Sequence, residues 1–217
     1  MILLALVLSL TTSCSNVVRF GLLNSNSIMV PPGMERTVYV HTGNISENQR
    51  VSLNGINGQL SATGYQVVKD PTQAHYWLQA RVVYCHKAKQ GVTAESVAFT
   101  GFGVGIGSGG TAMARGMGGM KQPPPEGILY MCVADVFVTE QAAPAKLATP
   151  IAASSTRAAT YTMRSVAHVL QKELNIEEAT PIIQEKLNTS IAGLFQAPGR
   201  DGTQHPAITD SRRLLAF

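Results

Sequence analysis

AFTGFGVGIGSGGTAMARGMGGM, residues 98–120, is the stretch on which the reading of this chain turns. It holds nine glycines and a single charge, Arg115, with Phe, Val, Ile and Met at most other positions. Ordinary soluble domains do not leave such a segment in water, and it lacks the bulk to form a core. Gly101, Gly105 and Gly109 recur every fourth residue, as do Gly103 and Gly107. In a helix that spacing makes a small-residue stripe, which lets backbones approach closely in lipid. As one helix it would be about 34 Å long, enough to cross a hydrocarbon layer of roughly 30 Å. Glycine is a poor helix former in water. The segment is therefore either an insert that contacts membrane or other copies of itself, or a flexible glycine loop within a folded domain.

Gly105-Ile-Gly107-Ser-Gly109-Gly110 matches the GxGxxG dinucleotide pattern, but without the buried strand before it or the acidic residue beyond that the motif requires. Pro123-Pro124-Pro125 follows instead. The match is chance within a glycine run.

Toward the amino terminus, residues 2–10 form an uncharged apolar run ending in Thr11-Thr12-Ser13-Cys14. The run is too short to span a bilayer and fits the apolar part of a secretory signal, residues 1–13. Cys14 after a small residue resembles the acylation site of bacterial lipoproteins. Several acyl chains on one cysteine hold firmly, where a single chain binds marginally. Ser15 is not the Asp of an inner-membrane retention signal, so outer-membrane sorting is expected. No cofactor is expected beyond the covalent lipid. Cys85 and Cys132 then remain as an even pair in an oxidising compartment, either bonded across strands or left as two buried thiols.

Charge points to no nucleic acid. The net charge is +4, but the 17 basic residues are scattered and Arg212-Arg213 is their only adjacent pair, so no basic stripe exists. Catalysis finds no constellation either. His41, His75, His86, His168 and His205 lack metal-ligand spacing. Ser108 lacks a nucleophile elbow, and Glu177-Glu178 fit the first turn of a helix better than an acid–base pair. Tyr76 and Tyr84, an even number apart, are expected on one face of a strand, with Trp77 on the other.

Residues 14–34 read as anchor and tether, ending in Pro31-Pro32-Gly33. Residues 36–41, 65–69, 75–86, 128–139 and 155–169 read as strands. Ser46 and Gln49 suit a capping box opening a helix with Leu53, Ile56 and Leu60 on one face, which Gly64 would end. Thr180 with Pro181 reads as the start of a last helix, with Ile183, Leu187, Ile191 and Leu194 as its apolar stripe. The order β-α-β-β, insert, β-β-α predicts an α+β domain over residues 35–195, a mostly antiparallel sheet covered by helices. Residues 196–217 read as a disordered tail.

Glu35-Arg36-Thr37-Val38, Gly64-Tyr65-Gln66-Val67-Val68 and Ala74-His75-Tyr76-Trp77-Leu78-Gln79-Ala80 together resemble the TraT family of outer-membrane lipoproteins. Ala134-Asp135-Val136, Glu177-Glu178-Ala179 with Pro181, and Ser190-Ile191-Ala192 extend the likeness to about Phe195. Family members carry a longer hydrophobic region rich in glycine and alanine where this chain has residues 98–120. The resemblance implies a surface protein and not an enzyme. Such a protein reduces uptake of related conjugative plasmids (surface exclusion) and blunts complement attack. The implied partners are further copies of the chain, the outer membrane, and a donor cell's mating apparatus or an outer-membrane protein. A different class of function fits the same features: a periplasm-facing lipoprotein that scaffolds or plugs a secretion or conjugation apparatus.

Overall fold

A computed structural model describes residues 16–26, 28–30, 35–89, 91–99, 127–141 and 159–196. Cys14, Gly101, Gly103, Gly105, Gly107 and Gly109, and the expected tail beyond Gln196, lie outside them. The described residues build one six-stranded sheet. Its strands are β1 (Val17–Asn24), β2 (Thr37–Asn44), β3 (Gln66–Val68), β4 (Tyr76–Lys87), β5 (Ile128–Glu140) and β6 (Thr160–Gln171). Three helices accompany it, α1 (Gly55–Ala62), the short α2 (Ala94–Ala98) and α3 (Ile176–Gly193). Across the sheet the order is β1-β6-β5-β4-β2-β3.

The sheet is mixed, which corrects the expectation of a mostly antiparallel one. β1, β6, β5 and β4 pair antiparallel, but β2 pairs parallel with both β4 and β3. The connection through α1 returns the chain to the same end of the sheet, so β3 must run alongside β2. β3 is only three residues long, and the chain then crosses to β2's other side through a 3-10 turn, Pro71–Gln73. Two bonds pin that crossing. Trp77 Nε1 donates to the Pro71 carbonyl at 2.8 Å, and the His75 amide donates to Thr37 Oγ1 at 2.9 Å.

α1 and α3 cover one face. Ile183, Leu187 and Ile191 of α3 and Ile56 and Leu60 of α1 are fully buried there. They meet Val38, Tyr76, Leu78, Val136 and Val138 from the strands. α3 starts earlier than the sequence suggests. Asn175 is its cap, its side chain accepting from the Glu178 amide at 3.1 Å, and Pro181 lies inside the helix. Thr180 is not a cap: its hydroxyl donates to the Ile176 carbonyl at 2.6 Å. Asn175 had no apolar repeat beside it to mark it, whereas Thr-Pro imitates a start signal.

Ser46 opens no helix. Its amide and hydroxyl both donate to Asn44 Oδ1, at 2.8 and 2.7 Å, while Asn48 Nδ2 reaches Tyr130 Oη and Thr180 Oγ1, each at 3.0 Å. Those bonds hold residues 45–54 as an ordered turn, and α1 begins only at Gly55. Gly64 does end it, at φ +87°, with the Tyr65 amide donating back to the Leu60 carbonyl at 3.0 Å.

Residues 17–24, expected as tether, form β1 at the sheet edge, paired with β6 from Val17↔Gln171 to Asn24↔Ser165. No alternation marks this strand, because Gly21 interrupts it and Val18 and Phe20 stay half exposed.

Candidate functional site

The register places one end of the sheet at the centre of the functional question. Val17, Lys87, Ile128 and Gln171 all lie there, through the pairs Val17↔Gln171, Ile128↔Gln171 and Lys87↔Tyr130. The amino-terminal segment therefore enters the domain where β4 hands over to the connection of residues 88–127. That connection contains the glycine-rich stretch, and both of its strand ends are at this end.

Three features fix this end. Asn16 is clamped to the turn after β6: its carbonyl accepts from the Lys172 amide at 3.1 Å, and its Oδ1 accepts from the Glu173 amide at 2.9 Å. Its Nδ2 donates to the Glu173 carbonyl. Beside it an open hollow is lined by Lys172, Leu174, Ile176 and Glu177. Next, Cys85 and Cys132 stand opposite each other on β4 and β5 and are joined by a disulfide, Sγ–Sγ 2.02 Å. The bond ties the two strands just inside the long connection. Third, α2 packs on the face away from α1 and α3, burying Ala94, Val97 and Ala98 against Met131, Val133 and Val166. A Thr93–Ser96 capping box starts it. Ala98, read from sequence as the first residue of the insert, is thus fully buried against the sheet, while Phe99 is exposed.

The same face carries polar groups that no motif flagged. Arg164 and Asp135 are directly opposite on β6 and β5 and form a two-pronged ion pair, Nε–Oδ1 2.7 Å and Nη2–Oδ2 3.0 Å. Their side chains are 1% and 11% exposed. Arg81 on β4 is Asp135's other register neighbour, and the two line a small groove with His41, Gln79 and Phe137. The available signal was a charged residue inside each of two nearly continuous apolar strands, Ala134-Asp135-Val136 and Met163-Arg164-Ser165-Val166, since a buried charge needs a partner.

His168 belongs to this face too. Its imidazole lies so close to Gly21 that a Cβ there would come within 2.6 Å of the ring, which accounts for the glycine in β1. Among the described residues His168 Nδ1 is buried without a hydrogen-bond partner. Burial pushes the imidazole pKa below its ordinary 6.5; Glu95 opposes this and Arg19 adds to it. Above pH 6.5 the ring is neutral folded or unfolded, so its full contribution to stability is present. Below that value the unfolded chain takes up a proton that the folded ring still refuses, and stability falls with pH. Urea midpoints measured between pH 7.5 and 5 should drop with acid, and His168→Asn should flatten the slope; an unchanged slope in that variant places the effect elsewhere.

The aromatic residues do not form a platform. A bulge between Val82 and Tyr84 puts Tyr84 on the face opposite Tyr76, correcting the two-residue alternation expected of them. Tyr76 packs in the helix-covered core with Tyr65 and Phe195, and Trp77 meets Tyr39 edge-on at 6.3 Å. His75 instead bonds Glu140 at 3.1 Å. Among the described residues no group of three His, Cys, Asp or Glu side chains could hold a metal ion. Glu177 pairs with Arg50 at 3.0 Å on the surface. No described helix is long and apolar enough to cross a membrane.

Residues 23–127 and 125–195 match the family model of the enterobacterial TraT complement resistance protein. The chain belongs to the TraT family. Two TraT complement resistance proteins of Escherichia coli, and one of Escherichia coli strain K12, are each 28% identical to it over 204 residues. Each alignment covers 79% of this chain and 84% of the relative. The TraT-like blocks fall in both the parallel and the antiparallel parts of the sheet. Gly64 to Val68 caps α1 and forms β3, Ala74 to Ala80 opens β4, and Ala134-Asp135-Val136 carries the buried carboxylate. The TraT match begins at residue 23, so Cys14 and Asn16 lie outside it.

Proposed function

We propose that this chain is a lipid-anchored outer-membrane protein that is displayed at the cell surface. There it reduces entry of related conjugative plasmids and blunts complement attack, by occupying the surface as an oligomer and not by catalysis. Family membership supports the complement reading. The structural observation that carries the anchored form is the shared end of the sheet. β1 begins there, and the strand ends Lys87 and Ile128 that flank the connection bearing residues 98–120 lie there too. An acyl anchor at Cys14 would bring the glycine-rich stretch to the bilayer, where Gly101, Gly103, Gly105, Gly107 and Gly109 can meet lipid or the same stripe on sister chains. Cyclic closure would hide that apolar surface from water.

Cys14→Ala tests this directly. The variant should leave the outer-membrane fraction and become soluble, and recipients carrying it should accept plasmid as freely as cells without the protein. A soluble variant that still excludes would overturn anchored action. Lysine labelling of intact cells with an impermeant reagent should reach the wild-type protein; protection from the reagent would favour the periplasm-facing scaffold.

A further inference from the structure

We propose that the turn between β6 and α3 rests on the bilayer, and that Asn16 is the mounting residue that fixes the domain's orientation there. The inference builds on the acylation of Cys14 and specifies what that anchor does to the folded domain. Cys14 is two residues before Asn16, so their Cα atoms are at most about 7 Å apart. The acyl chains thus start within one strand spacing or so of a residue held by three hydrogen bonds to Lys172 and Glu173. Such a link leaves no slack for the domain to tumble above the membrane, as a tether would.

Among the exposed side chains at that end, three apolar ones stand beside Lys172, Glu173, Asn175 and Glu177. Leu174 and Ile176 are each 39% exposed on this turn, and Val18 is 52% exposed one residue into β1. Charge does not explain the contact, because Lys172 is offset by Glu173 and Glu177 is already paired with Arg50. Seating of Leu174 and Ile176 in the acyl boundary should therefore be insensitive to salt.

The one tryptophan supplies an internal reference. Trp77 is at the start of β4, opposite Thr139, while the mounting turn is at that sheet's other end, roughly 30 Å away at about 3.3 Å per residue. Full-length acylated protein would be reconstituted into phosphatidylcholine vesicles containing bromine-labelled acyl chains. Leu174→Trp in a Trp77→Phe background should be quenched several-fold more strongly than Trp77 in the parent, equally in low and high salt. Adding Asn16→Ala should reduce that quenching while the protein still floats with the vesicles. Protein that floats with its introduced indole unquenched, or quenched equally with and without Asn16, overturns the mount and leaves the anchor standing. Protein that does not float overturns the anchor and the mount together.

Discussion

Asp135→Ala should cost about 3–5 kcal/mol of folding stability, the usual range when one partner of a buried ion pair is removed. A domain has only about 5–15 kcal/mol in total. Arg164 is fully buried, and in the variant its guanidinium would keep its charge without the carboxylate that grips it at two points. Replacing both partners changes the sign of the argument, since a buried pair contributes little more than apolar side chains of similar volume. The double variant Asp135→Leu with Arg164→Met should therefore recover most of the loss. Urea unfolding of the three proteins measures it, and a double variant as unstable as the single one would show that the pair itself holds β5 to β6. Asp135 is also the register neighbour of Arg81, so the same variant removes the carboxylate from the groove on this face.

Breaking the Cys85–Cys132 bond should have a comparable effect for a different reason. The cysteines are 47 residues apart in sequence, and the loop they close contains the glycine-rich stretch. Cross-linking removes disorder from the unfolded chain, and for a loop of this length the chain-entropy model gives about 4 kcal/mol. The folded state should survive reduction, because β4 and β5 stay paired from Tyr76↔Glu140 to Lys87↔Tyr130. Cys85→Ala with Cys132→Ala should thus lower the unfolding midpoint without changing the circular dichroism of the native protein. In the wild type both thiols should resist alkylation until reductant is added. Alkylation without reductant, or an unchanged midpoint, would remove the bond from the stability account.

Much of the helix-covered layer was readable because its signal is local. Ile183, Leu187 and Ile191 recur at helical spacing, and all three are buried on α3. β4 and β5 fall within one residue of the spans read from their β-branched and aromatic runs. Where the reading failed, a distant partner decided. β1 looks like a tether because its reason to be a strand is β6, reached only after more than a hundred intervening residues. Gly21 interrupts the alternation of β1 because the His168 ring occupies the space a side chain would take. The Tyr84 bulge shifts every later side chain by one face and leaves no mark in the alternation. The site was less legible than the fold. Cys14 was a local motif, but Asn16 shows its role only when the turn after β6 comes beside it.

By itself the sequence determined which residues seek the core, where α1 stops, that one pair of cysteines was available, and which family the chain resembles. These follow from side-chain period, from the φ demanded at Gly64, and from matching blocks of residues. Only the tertiary structure decided that β2 runs parallel to both of its neighbours, that Asp135 meets Arg164, and that β1 starts at the end of the sheet where β4 stops and β5 begins. Alternation places a side chain on a face, and it is identical for parallel and antiparallel neighbours. Strand direction, register and partner are fixed by contacts between residues far apart in the chain, which no local pattern encodes.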